Sequence, residues 1–179
     1  SVSLYGNTAL IGSHGRDDNN KTDSGSVYVF TRSSTDGTFT ELSTKLRASN
    51  SEADYHFGES VSLYGDTALI GATYDDDNGK SMSGSVYVFT RSSTDGTFTE
   101  RSKLHASNAA VWDRFGISVS LYGNTALIGA HGRDDENDNT ITNVGSVYVF
   151  KAPIVCSTDE YVSSNVCAPC PPGTTNDAG

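Results

Sequence analysis

Residues able to do chemistry gather in three short acidic runs: Arg16-Asp17-Asp18-Asn19-Asn20, Asp75-Asp76-Asp77-Asn78-Gly79 and Arg133-Asp134-Asp135-Glu136-Asn137-Asp138. Hard divalent cations bind several carboxylate and carbonyl oxygens in a flexible loop. Asp75, Asp77 and Asn78, beside a glycine, have that chemistry and form the candidate Ca2+ site. The run lacks the alternating carboxylate series and the distal bidentate Glu of a calcium loop, so a solvated polar loop is the simpler reading. His14 and His131 adjoin the first and third runs, but Thr73 holds that place in the second, which favours turn-adjacent histidines over metal ligands.

The runs belong to a larger repetition. Ser1-Val2-Ser3-Leu4-Tyr5-Gly6 returns from Ser60 and again from Ser118, at spacings of 59 and 58 residues. Such a period, built from short apolar runs and turn signals, marks an array of supersecondary units. Ser24 to Glu41 and Ser83 to Glu100 are identical throughout, so each copy meets nearly the same environment.

Each unit reads as four strands. Ser60 to Tyr64 alternates Val61 and Leu63 against serines, the period of a strand with one apolar side. Gly65-Asp66 then has the composition of a two-residue hairpin turn, and Thr67 to Ala72 forms the second strand. After the acidic loop, Gly84 to Phe89 is apolar on both faces and must be covered on both. Asp95-Gly96 is a strong hairpin signal, and the polar Thr97 to Glu100 suits an outer edge strand. No stretch has useful helical periodicity. The predicted fold is all-β: four-stranded antiparallel sheets packed face to face as the blades of a β-propeller, the third incomplete.

These residues resemble the FG-GAP repeat: Phe57-Gly58 before the first strand, Ala68-Leu69-Ile70-Gly71-Ala72 in the second and Gly84-Ser85-Val86-Tyr87-Val88-Phe89 in the third. The likeness spans residues 1 to about 151 and implies blades of the integrin α-subunit type. Calcium-binding members carry an Asp-rich loop between Phe-Gly and the Gly-Ala segment. Here that connection is only Tyr-Gly-Asn/Asp-Thr, too short to wrap a cation, so that site is not inherited. Propellers close with four to eight blades, whereas the third unit here stops after Val147-Tyr148-Val149-Phe150. The missing surface is expected from upstream repeats, a second chain or an open stack of sheets. Beginning in mid-repeat, the chain reads as a mature or partial segment of something longer.

All three cysteines, Cys156, Cys167 and Cys170, follow the repeats. The segment from Cys156, with Tyr161-Val162 and then Cys-x-x-Cys-Pro-Pro-Gly-Thr-Thr, resembles the opening of an ephrin-receptor-like cysteine-rich module. The resemblance implies disulfides: Cys156 with Cys167, and Cys170 with a cysteine elsewhere. Half a zinc site or a redox pair competes for Cys167-x-x-Cys170. Disulfides imply an oxidising, extracellular compartment. There Asn20, in the sequon Asn20-Lys21-Thr22, is a glycan acceptor.

Two domains are expected: repeats over 1–152, with blades at about 1–59, 60–117 and 118–152, and the cysteine-rich start over 153–179. With 12 Lys plus Arg against 22 Asp plus Glu, net charge −10, no clustered cations are available for nucleic acid. No twenty-residue apolar run offers a membrane span. Ser34-Thr35-Asp36-Gly37-Thr38-Phe39 resembles the Asp-box of sialidase-like propeller hydrolases, but its Asp and Gly are adjacent and Phe replaces Trp. Repeated residues are architectural more often than catalytic. The resulting expectation is a non-catalytic extracellular or cell-surface platform for protein or glycan partners. The alternative is a structural subunit of a filament, sheath or appendage that binds further copies of itself.

Overall fold

The computed structural model describes residues 1–18, 20–77, 79–132 and 144–151 in full, and the backbone alone of 160–163 and 166–169. Three antiparallel sheets follow one another along the chain. The first has β1 (Val2–Tyr5), β2 (Thr8–Ser13), β3 (Ser26–Arg32) and β4 (Phe39–Glu41) in sequential order. The second repeats it with β5 (Val61–Tyr64), β6 (Thr67–Ala72), β7 (Ser85–Arg91) and β8 (Phe98–Leu104). The third has three strands, β9 (Phe115–Tyr122), β10 (Thr125–Ala130) and β11 (Ser146–Lys151). A separate ribbon pairs β12 (Glu160–Ser163) with β13 (Val166–Pro169). Among the described residues, the all-β architecture and the three-stranded third blade are as the repeats imply.

The first hairpin of each sheet closes as its residues dictate. Tyr5 pairs with Thr8 and Tyr64 with Thr67, leaving Gly-Asn or Gly-Asp as the two-residue turn. Positive φ falls on Gly6 (56°), Gly65 (58°) and Gly123 (57°), the arrangement of a type II′ turn with glycine first. The Asp-Gly signal does mark a hairpin, between β7 and β8, but not one with a two-residue turn. Strand pairing in the second sheet ends at Arg91 and Phe98, so Asp95-Gly96 lies within a longer connection. Asp95 Oδ1 accepts there from the Thr97 backbone N–H at 3.0 Å and the Thr97 hydroxyl at 2.8 Å, an Asx-type closure that does the work of a tight turn.

The sheets pack face to face, and the middle one shows why its third strand is apolar on both sides. Leu10, Val27 and Val29 of the first sheet meet Val61, Leu63, Ile70, Tyr87 and Phe89 of the second in one buried cluster. The other face of the second sheet supplies Leu69 and Val86 to a second cluster, with Phe115, Ala126 and Ile128 of the third. Serine hydroxyls stitch the first strands together: the Val61 and Leu63 amides donate to Ser1 Oγ (3.2 Å) and Ser3 Oγ (2.9 Å), and the Leu121 amide to Ser62 Oγ (3.0 Å). Tyr5, Tyr64 and Tyr122 form a ladder beside them, with ring centroids 4.9 and 5.0 Å apart.

Phe-Gly is the stitch between sheets. The Phe57 and Phe115 rings are fully buried, each edge-on to the third-strand tyrosine of its own sheet, at 5.4 Å for Tyr87 and 5.3 Å for Tyr148. Their amides donate to Ser24 O (3.1 Å) and Ser83 O (2.9 Å) of the preceding sheet's loop. The following glycine, at φ 94° or 93°, drives its carbonyl against a glycine of the second strand before it. A Cβ on Gly12 would stand 1.9 Å from Gly58 O, and one on Gly71 would stand 2.1 Å from Gly116 O. Backbone on both sides cannot yield as a flexible side chain would. Gly71→Ala should therefore lower unfolding free energy by about 3 kcal/mol or more, as severe overpacking does. Gly65→Ala meets only open space and should cost about 1 kcal/mol for its left-handed backbone. Urea midpoints of the two variants check the contrast, and equal losses would remove close approach as the cause.

Candidate functional site

The first two acidic loops are structured by their own carboxylates. Asp17 Oδ1 accepts from the Asp23 amide at 3.0 Å, and in the second repeat Asp76 Oδ1 accepts from the Met82 amide at 2.8 Å. The Asp18 and Asp77 amides donate to Ser24 Oγ (3.3 Å) and Ser83 Oγ (3.2 Å). So braced, each of these two loops holds the linker to the next sheet. Asp54 and His56 amides donate to Thr22 O (2.8 Å) and Asp23 O (3.1 Å). Those of Trp112 and Arg114 donate to Ser81 O (3.0 Å) and Met82 O (3.1 Å). Two lysines add clamps at equivalent places: Lys21 Nζ to Ser51 O, and Lys80 Nζ to Ala109 O at 2.6 Å.

The structure brings the candidate metal ligands Asp75 and Asp77 together around an ammonium. Lys103 Nζ, from β8, lies 3.0 Å from Asp75 Oδ2 and 3.1 Å from Asp77 Oδ1. Asp75 is completely buried and also accepts from the Tyr87 hydroxyl at 2.5 Å. Tyr87 OH lies 2.6 Å from Asn50 Oδ1 of the preceding unit, and Tyr148 OH stands in the same relation to Asn108 at 2.8 Å. His105 Nδ1 is 3.6 Å from Asp77 Oδ2, where the first repeat has Arg47 Nε 2.9 Å from Asp18 Oδ2. Lys103 thus holds the place between the two carboxylates that a divalent ion would need. Asn78 lies outside the described residues, as does 133–143 of the third acidic loop. Among the described residues no group of three His, Cys, Asp or Glu side chains is placed to hold a metal.

Burial pulls the Lys103 ammonium down, but its hydrogen bonds and charge interactions with Asp75 and Asp77 outweigh that and hold its pKa above the ordinary 10.5. Burial, then the Asp75 charge, push the Tyr87 phenol far above its ordinary 10.0. Sequence reasoning missed this network. Its signal was the Asn at the end of each unit, Asn50 and Asn108, paired with the tyrosine of the next third strand.

A second constellation runs across the linkers. The His56 ring lies 5.4 Å from His14 and 4.4 Å from Tyr74. The Arg114 guanidinium covers Tyr74 at 5.1 Å and Trp112 at 5.8 Å, with Nη1 3.4 Å from His131 Nε2. Histidine, tyrosine, arginine and tryptophan from all three repeats thus form one continuous stripe. His56, Trp112 and Arg114 have left-handed backbones, at φ 55°, 71° and 53°. Trp112 is 52% exposed, so its ring lies at the surface and not in the packing between blades.

The remaining candidates separate from both clusters. Asn20 is exposed, at φ 61°. Cys156 and Cys170 lie outside the described residues, and of Cys167 only the backbone place in β13 is described. Asp36, in the Asp-box-like segment, accepts from the Thr38 amide (3.1 Å) and hydroxyl (2.8 Å) within its own turn. Those bonds, the backbone one foremost, with one from Ser33, lower its pKa.

Because the Lys103 and Tyr87 pKa values are both raised, the folded chain binds more protons than the unfolded one once pH exceeds about 10. Their contribution to stability is complete below that pH and should be lost as pH rises above it. Tyr87→Phe should make the alkaline decline in melting temperature shallower. Lys103→Met leaves Asp75 and Asp77 without their ammonium and should cost about 3–5 kcal/mol at neutral pH. Melting curves from pH 7 to 11 check both, and an unchanged alkaline slope in the phenylalanine variant would remove Tyr87 from the explanation.

No curated protein matches this chain. The FG-GAP repeat model matches residues 1–30, 41–89 and 98–150, the third match beginning with β8 of the second sheet. With most of the chain so matched and its sheets built as propeller blades, this protein belongs to the FG-GAP repeat family of integrin-like β-propeller domains.

Proposed function

We infer that the chain is a non-catalytic, extracellular or cell-surface protein whose blades serve as an adhesion platform for a protein or glycan partner. The observation that carries this reading is the stripe from His14 through His56, Tyr74, Arg114 and Trp112 to His131. Arginine and tryptophan dominate contact energy in recognition surfaces, and a half-exposed tryptophan under a guanidinium contributes little to a core. A guanidinium over aromatic faces suits a partner presenting an anionic group beside an apolar surface. Left-handed backbone at non-glycine residues costs free energy and recurs at ligand clamps. Here the loop-to-linker hydrogen bonds maintain it.

Membership of a generally non-catalytic family supports the same reading. The carboxylates of Asp36, Asp75 and Asp77 are engaged in turns and ion pairs, which leaves no paired carboxylates set apart for acid–base chemistry among them. A glycan on exposed Asn20 and disulfides through Cys156, Cys167 and Cys170 complete the extracellular proposal. Among the described residues no helix is long and apolar enough to cross a membrane.

Binding to arrays of sialylated and sulfated glycans and to extracellular-matrix proteins tests the proposal. Trp112→Ala and Arg114→Ala should each weaken any bound partner about tenfold or more, with melting temperature little changed for the tryptophan variant. Retention of full binding in both would place recognition elsewhere.

A further inference from the structure

Nine tyrosines are spread along the chain, and three of them hold the same place in successive repeats. Tyr5, Tyr64 and Tyr122 end the first strand of each sheet, directly before the Gly-Asn or Gly-Asp turn. Each stands two residues after a serine, Ser3, Ser62 or Ser120, so serine and tyrosine share one side of the strand. Ser3 and Ser62 accept from amides of the next sheet, which fixes neighbouring first strands side by side. The rings continue that contact outward. Centroids lie 4.9 Å apart for Tyr5 and Tyr64, at an interplanar angle of 49°, and 5.0 Å apart for Tyr64 and Tyr122, at 58°. Tyr5 is 43% exposed and Tyr122 76%, with Tyr64 half-buried between them. Tyrosines elsewhere have different neighbours. Tyr87 and Tyr148 lie against phenylalanines, Tyr74 against His56 and Arg114, and Tyr28 under Lys45. Among the described residues, only in this ladder does one tyrosine ring touch another.

We propose that the ladder is an oxidative cross-linking site, at which Tyr64 is joined to Tyr122 or Tyr5 as dityrosine by hydrogen peroxide acting through a haem peroxidase. Each phenol gives up one hydrogen atom, a proton and an electron, to the oxidant. The two radicals pair through the ring carbons beside their hydroxyls and form one carbon–carbon bond. The hydrogens on those carbons then move to the oxygens, which restores both phenols. The chain loses two hydrogen atoms in all, and one peroxide is reduced to two waters. Partners already held in contact react at an effective concentration far above that of separate chains, so coupling runs within one molecule. The bond joins consecutive sheets covalently at an edge otherwise held by packing and serine hydrogen bonds. It also restricts the unfolded chain, which stabilises the folded one. The site goes beyond the adhesion reading and uses no residue of the aromatic stripe.

The test treats the full chain with hydrogen peroxide and a peroxidase and follows dityrosine fluorescence, after which digestion and mass spectrometry locate the bond. The expected product runs as a monomer in denaturing gels. It yields a branched peptide that joins Tyr64 to Tyr122 or Tyr5 and lacks two hydrogen atoms, and it melts at a higher temperature than the untreated chain. Tyr64→Phe keeps a ring in the ladder but removes the shared phenol, and should lower the intramolecular yield about tenfold or more. Tyr28→Phe removes a tyrosine outside the ladder and should leave that yield unchanged. Unfolding in urea disperses the ladder and should lower the yield as Tyr64→Phe does. Equal yields from folded and unfolded chain would overturn the proposal, as would a yield that Tyr64→Phe leaves intact. A bond mapped to other tyrosines, or product linked only between molecules, would equally overturn it. Loss of glycan or matrix binding in Trp112→Ala is a separate readout, so the two proposals fail independently.

Discussion

Everything in this fold depends on two backbones touching where no side chain can stand. The carbonyls of Gly58 and Gly116 press on Gly12 and Gly71, and that contact sets the separation between consecutive sheets. With it in place, the preceding phenylalanine can fill the space beside its own third-strand tyrosine, and two apolar clusters close around it. Dispersion attraction falls steeply with a gap of even 1 Å. A sheet held off by one Cβ would forfeit contacts along its whole face. The glycine pair therefore governs far more apolar area than it contributes.

The acidic loops follow from the same constraint. A chain leaving the edge of one sheet must return to the loop end of the next and enter it at a glycine with positive φ. Something must hold the linker while it turns. The loops do this with main-chain carbonyls offered to the linker amides at Asp54, His56, Trp112 and Arg114. Asp17 and Asp76 close the loops themselves. Much of the charge that suggests a cation site is thus committed to architecture. Asp75 goes further: fully buried, it is stable only because Lys103 and Tyr87 meet it, and the first repeat has Arg16 in its place.

The sheets were legible in the sequence because every signal was local and written three times. Alternation in Ser60 to Tyr64, glycine at the turn, and apolar character on both faces of Val86 to Phe89 each specify a strand without knowledge of its neighbours. What was not legible joins residues distant along the chain. Asp75 and Lys103 are 28 residues apart and meet because β7 lies beside β8, so a run of aspartates read alone suggested a metal. The stripe draws His14, Tyr74, Arg114 and Trp112 from different copies, where the repeats are least alike. Periodicity reports what copies share, and the recognition surface proposed above lies in what they do not. The Asp-Gly dipeptide marked its hairpin but not the length of the turn. Its turn chemistry was right, but the aspartate closes a longer connection through its side chain.

Nearly identical copies also expose what each position requires of its surroundings. Val27, Val86 and Val147 hold equivalent places, yet the first two are fully buried and the third is exposed. Among the described residues, a following sheet covers the first two valines and none covers the third. In arrays of this kind, stability is close to a sum of unit and nearest-neighbour terms. Among the described residues the middle sheet alone is covered on both faces, and it is therefore the most stable of the three.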